Sequence, residues 1–143
     1  KKELIFKVVI LIFACARELS CIDNGAGRTP PMGWSSKGTF NCSITENIIK
    51  QMVDRMIDRG LASKGYSFVN IDDCWQVSRN QSTGEILEDL SKFPHGMSEL
   101  SKYIHSKGLK VGLYSDLGNK TCNGRPGSFG YEKIDAVTYA NWS

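Results

Sequence analysis

The chain lacks a phosphate-cradling glycine turn, an apolar run able to span a bilayer, and a strong excess of one charge. Its glycines between Gly118 and Gly130 follow neither G-x-G-x-x-G nor the P-loop lysine pattern, so they read as loop punctuation rather than a nucleotide site. The run Val8 to Ala16 (VVILIFACA) is nine residues long, where a membrane-crossing helix needs about 20. The 18 basic and 15 acidic residues become 14 and 13 once residues 1–21 are set aside, which leaves no electrostatic case for nucleic acid. The two histidines, His95 and His105, lie before a helix and near a helix end, and neither is paired with a serine or cysteine nucleophile in a recognisable motif. Both read as structural. With 41% hydrophobic and 10% aromatic residues over 143 positions, the composition excludes a disordered or collagen-like chain and fits one globular domain.

What is present points first to a compartment. Lys1, Lys2 and Lys7 precede the apolar run, which ends in small residues, so residues 1–21 read as a signal peptide cleaved after Ala16 or nearer Cys21. A buried strand or an artefactual upstream reading frame is the alternative. Four Asn-x-Ser/Thr sites, at Asn41, Asn80, Asn119 and Asn141, support a secreted or lysosomal glycoprotein. Asn41, beside a cysteine, is the weakest of the four. Beyond residue 21 stand Cys42, Cys74 and Cys122, an odd number that implies a partner elsewhere. The chain starts at Lys1 and stops at Asn141-Trp142-Ser143, and both ends read as cut.

The body, residues 22–143, alternates strands and helices. Pro31 to Ser35 fits a short opening strand. Ser43-Ile44-Thr45-Glu46 matches a capping box, and Ile48, Ile49, Met52, Val53, Met56 and Ile57 follow as a helical stripe facing a sheet, closed by Gly60. Tyr66 to Ile71 alternates like a strand. The pattern repeats in a helix over Gly96 to Lys107, a cap at Gly108 and a strand over Leu109 to Tyr114, with a third helix from about Asp135 towards Trp142. Such units imply a parallel sheet, either doubly wound or a (β/α)8 barrel. Polar residues gather at strand ends without a phosphate turn, which favours the barrel: an α/β fold, here about three βα units of a truncated (β/α)8 TIM barrel.

The stretch Asn70 to Gln76 (NIDDCWQ) carries adjacent carboxylates, Asp72 and Asp73, at the end of one strand. Tyr114 and Asp116 end the next. Consecutive strand residues point to opposite faces, and the acid and nucleophile of a glycosidase stand about 5 Å or more apart on two sides of the bond, so the doublet is a poor catalytic pair. It can accept hydrogen bonds from the hydroxyls of one sugar. A metal site has no third or fourth hard ligand at suitable spacing. Surface acids closing a strand satisfy the same pattern.

The segments IDNGAGRTPPMGW (Ile22 to Trp34), GYSFVNIDDCW (Gly65 to Trp75), KFPHGM (Lys92 to Met97), HSKGLKVGLYSDLGNKTC (His105 to Cys122) and PGSFGY (Pro126 to Tyr131) resemble the α-galactosidase and α-N-acetylgalactosaminidase (melibiase) family. The likeness covers residues 22–142 in order. It implies a (β/α)8 barrel followed by a β-sandwich, and a retaining glycosidase that removes terminal α-linked galactose and needs no cofactor. The alternatives are an α-N-acetylgalactosaminidase or a non-catalytic sugar-binding relative. The resemblance assigns Asp72, Asp73 and Tyr114 to the sugar pocket, pairs Cys42 with Cys74, and pairs Cys122 with a cysteine beyond the chain. It places the nucleophile and the acid/base beyond Ser143, so no catalytic residue is expected within the chain. It implies an α-galactoside substrate and, for the full-length parent, a homodimer. One departure is Lys37, which stands where the family usually has tryptophan against the sugar. Trp34 and Trp75 are expected near the site, and Tyr103 on a helix surface or in the core.

Overall fold

The computed structural model describes Gly25 and residues 27–142; the expected signal segment, with Cys15 and Cys21, lies outside the described residues. The chain divides into two units, Lys1–Pro30 and Pro31–Ser143. The described residues of the first form bends and a turn. The second carries every element below.

Its centre is a parallel sheet of three strands, β1 (Gly33–Ser35), β2 (Phe68–Ile71) and β5 (Lys110–Leu113), in the order β1-β2-β5. Trp34 pairs with Val69, and Asn70 with Gly112. Glycine suits both tight registers: a Cβ on Gly33 would run into the Phe68 backbone, and one on Gly112 into the Asn70 side-chain amide. Each parallel step needs a crossover, and a helix supplies it. Helix α2 (Glu46–Asp58) leads from β1 to β2, and α3 (Gly96–Ser106) from β2 to β5. The four-residue α1 (Lys37–Phe40) follows β1, and α4 (Glu132–Asn141) follows β5.

The core lies between the two long helices and one face of the sheet. Ile49, Val53 and Met56 of α2, and Met97, Leu100 and Ile104 of α3, are buried against Val69 and Ile71. Each such side chain contributes roughly 1.5–3 kcal/mol on burial. Trp75, Ile86 and Phe93 extend the cluster. The predicted α2 stripe is narrower than its spacing implies: Ile48 and Met52 are half-buried, and Ile57 lies at the exposed margin.

Four local expectations need correction. Thr45, not Ser43, caps α2: its backbone is extended and its hydroxyl accepts the Ile48 N–H, while the Ser43 N–H turns back to the Phe40 carbonyl. The Glu46 carboxylate therefore bonds Lys50 and His95 instead of closing a capping box. Strand β2 starts at Phe68, because the Tyr66 N–H is taken by the Leu61 carbonyl. Helix α4 starts at Glu132, three residues before Asp135, so that Asp135 falls in its first turn. The segment after β2, to which the sequence pattern assigned no strand, contains an antiparallel hairpin of β3 (Gln76–Arg79) and β4 (Ile86–Glu88).

Candidate functional site

The carboxyl ends of the three parallel strands bring together the residues singled out at strand ends. Strand β2 ends at Ile71, so Asp72 and Asp73 leave strand geometry and are freed from its two-face alternation. The turn is held from β1: the Ser36 N–H donates to the Asn70 carbonyl at 3.1 Å, and the Asp72 N–H donates to Ser36 Oγ at 2.9 Å. Ser36 is fully buried. Next to it, Lys37 Nζ stands 3.9 Å from Asp72 Oδ1, with the Asp72 side chain 24% exposed. From the other side, the Trp75 indole N–H donates to the Tyr114 carbonyl at 2.9 Å, fastening the end of β5 to the end of β2.

The two acids have different surroundings. Asp73 is 1% exposed; its Oδ1 accepts the Cys74 N–H at 2.8 Å, and its Oδ2 accepts Asn123 Nδ2 at 2.7 Å and the Asn123 N–H at 3.2 Å. Burial pushes its pKa up, but hydrogen bonds from the Asn123 and Thr121 side chains and from the two backbone amides outweigh it and leave Asp73 below the usual carboxylate range. A carboxyl so held stays ionised and cannot serve as a general acid near neutrality. Asp72 is the member that faces solvent, its Oδ1 also accepting the Asp73 N–H at 2.8 Å. Tyr114 is shifted the other way. Burial, then the acidic groups of Cys122, Asp116 and Asp73, raise its phenol above the ordinary value, so it remains a hydrogen-bond donor.

Cys42 and Cys74 form a disulfide joining the segment after α1 to the segment after β2. Cys74 also has a left-handed backbone, with φ of 78°. Cys122 is an exposed free thiol. Trp75 is wholly buried, whereas Trp34 is half-buried and packs edge-on against Phe40. Of the four glycosylation sites, Asn41, Asn119 and Asn141 are exposed, while the half-buried Asn80 accepts the Ser82 and Thr83 amides in a turn. His95 is bound to Glu46, and Tyr103 donates to Asp54 from a half-buried position on α3. Among the described residues, no group of three or more His, Cys, Asp or Glu could hold a metal ion.

Sequence reasoning missed Ser36, Thr121 and Asn123. Ser36 carried a weak signal, as a small polar residue directly after a strand. Asn123 carried none, since it reaches Asp73 across 50 positions.

This arrangement fits what the chain resembles. Residues 29–143 match the melibiase family described as alpha galactosidase A. The chain belongs to this family. It is 49% identical over 121 residues to "Alpha-galactosidase" of Cyamopsis tetragonoloba, covering 84% of this chain and 29% of the relative. It is 45% identical over 131 residues to "Alpha-galactosidase A" of Homo sapiens, covering 85% and 30%. The crystal structure of alpha-galactosidase I from Mortierella vinacea superposes with a TM-score of 0.81 at 42% identity, covering 84% of this chain and 30% of that one. The chain thus spans about three tenths of the length of these family members, and its mixed α/β fold with a parallel sheet superposes on the Mortierella vinacea structure.

Proposed function

We propose that this chain is the first part of the (β/α)8 domain of a retaining glycosidase that removes terminal α-linked galactose, and that it supplies one wall of the sugar pocket. The observation that carries the reading is the juxtaposition of Lys37, Asp72, Asp73 and Tyr114 at the carboxyl edge of one parallel sheet, in a chain of this family. Barrel enzymes place their sites at that edge.

In this reading the wall binds and orients; it does not break the bond. Asp72 accepts hydrogen bonds from sugar hydroxyls, charge-assisted and therefore strong. Asp73, kept anionic, holds the turn and adds a second acceptor once Asn123 gives way. The Tyr114 hydroxyl donates to the sugar. The nucleophile and the acid/base come from segments beyond Ser143. Cys122 pairs with a cysteine there, and the whole protein is secreted or lysosomal, glycosylated at the four asparagines, and dimeric. Among the described residues, no helix is long and apolar enough to cross a membrane.

The test is to recover the coding sequence downstream of Ser143, produce the whole protein in a secretory host, and assay it on nitrophenyl α-galactoside and the matching α-N-acetylgalactosaminide. Preferred cleavage of the galactoside is expected. Preference for the second substrate would reassign the specificity, and galactose binding without turnover would make the protein a non-catalytic relative.

A further inference from the structure

Lys92 lies in the segment KFPHGM, outside the wall just described, and its ammonium is directed at the peptide backbone rather than at solvent. Lys92 Nζ donates to the Cys42 carbonyl at 3.1 Å and to the Cys74 carbonyl at 3.3 Å. The disulfide joins these same two residues through their sulfurs, so Lys92 joins them a second time through their carbonyls. The Lys92 carbonyl accepts the Glu46 N–H at 2.8 Å, which fixes Lys92 itself to the start of α2. Asp89 Oδ2 stands 4.0 Å from the ammonium. The side chain is 22% exposed, so water competes little for the two carbonyls.

The consequence runs through Cys74. This residue has φ of 78°, a backbone state that a side chain disfavours and that persists only where its surroundings impose it. Its N–H donates to Asp73 Oδ1, and its carbonyl accepts from Lys92. The peptides on either side of Cys74 are thus gripped at one end by an acid of the proposed sugar wall and at the other by Lys92. If the carbonyl is released, the strained residue can relax, and its N–H then swings off Asp73. The disulfide holds the Cys74 sulfur but makes no hydrogen bond to its carbonyl, so it does not by itself fix the orientation of that peptide.

We propose that Lys92 is a positioning residue of the sugar-binding wall, holding Cys74 in its strained state so that Asp73, and Asp72 before it, keep their orientation. This inference rests on the proposed function only for its kinetic effect; the geometric effect can be read without any activity.

The experiment compares Lys92→Met, Lys92→Gln and Lys92→Arg in the whole secreted protein. Arginine can still donate to both carbonyls, methionine cannot, and the smaller Lys92→Gln serves if Lys92→Met is not recovered folded. The first readout is amide hydrogen exchange. The neutral variants are expected to speed exchange at Cys74 by about tenfold or more while the amides of Val53 and Leu100 keep their rates, with Lys92→Arg close to wild type. Acceleration spread equally over Cys74, Val53 and Leu100, or none at Cys74, would overturn the inference. The second readout is kinetic. In an active enzyme, the neutral variants should raise KM for the galactoside and the inhibition constant for galactose about tenfold, kcat falling by less, and Lys92→Arg should restore both. A defect confined to melting temperature and yield, with KM unchanged, would mark a merely structural lysine. Wild-type protein that neither cleaves nor binds galactose would sink the functional reading, while the Cys74 exchange rates would still decide the role of Lys92.

Discussion

Arg79 and Asp135 meet in a two-pronged ion pair, Nη1 to Oδ1 at 2.6 Å and Nη2 to Oδ2 at 2.7 Å, across 56 positions of sequence. The second hydrogens of Nη1 and Nη2 go to the Gly84 and Gly127 carbonyls, and the guanidinium lies over the Tyr131 ring at 4.2 Å. Ser128 donates to Asp135 as well, and its hydroxyl also meets that of Ser115 just beyond β5. The pair therefore clamps the hairpin and the loop after β5 onto the first turn of α4.

Both partners are largely desolvated, so losing one strands the other. In the whole protein, Arg79→Met is expected to cost about 3 kcal/mol or more, the usual loss when one member of a buried pair is removed. The double variant Arg79→Met with Asp135→Leu should cost clearly less than the two single losses together. Urea denaturation of all four proteins checks this, and additive losses would mean the pair is not coupled.

Asp73 makes acid stability depend on the site. Its pKa is depressed in the folded state below the ordinary 3.8, burial being outweighed by the donors around it. Such a group stabilises the fold fully above about pH 4 and ceases to do so as pH falls through the depressed value. Asp73→Asn should therefore be less stable than wild type at pH 6 by about 1–3 kcal/mol, the range for weakening a buried hydrogen-bonded network. That gap should narrow below pH 4, as read from urea midpoints across the pH range. A gap constant with pH would show that the charge on Asp73 contributes nothing.

The parallel units were legible because their physics is local. The α2 stripe, Gly108 and the alternation through Val69 and Ile71 each follow from neighbours a few positions apart, and they placed Asp72 and Asp73 at a strand end correctly. The hairpin was not legible because its burial does not follow polarity: Gln76 is buried, as Ile86 is, while Val77 is 45% and Leu87 37% exposed, so reading every apolar residue as interior misses it. The helix cap went to Thr45 because the turn after α1 had already used the Ser43 amide. The Asn123 contact of Asp73 and the carbonyls on Lys92 are reached across 18 to 50 positions, which no propensity records.

Lys37 bears on affinity. It stands 3.9 Å from Asp72 at the lip of the proposed pocket, with the side chain 41% exposed, and offers a methylene stem but no ring to the sugar. In the whole protein, Lys37→Trp should tighten galactose binding about two- to tenfold, the worth of about 0.5–1.5 kcal/mol for an added aromatic contact. Competitive inhibition by galactose measures it. An unchanged inhibition constant would remove Lys37 from the pocket.

Residues 22–143 produced alone are expected neither to melt cooperatively nor to cleave nitrophenyl α-galactoside. Among the described residues, strands β1 and β5 each pair on one side only, in a parallel sheet of a kind found with both faces covered and, in a barrel, with no edge at all. A complete (β/α)8 barrel takes about 250 residues, so this stretch cannot close one. The helix side of the sheet is also incompletely filled: a cavity of about 120 Å³ opens between Ile71, Met97, Val111, Leu113, Tyr139 and Trp142. Apolar walls left open to water forfeit both transfer energy and packing, and a domain with a margin of only about 5–15 kcal/mol has little to spare. Calorimetry and a nitrophenyl assay on the isolated segment decide the matter. A sharp two-state transition would show that three strands and their helices form a self-sufficient unit, and turnover would place a nucleophile within residues 22–143.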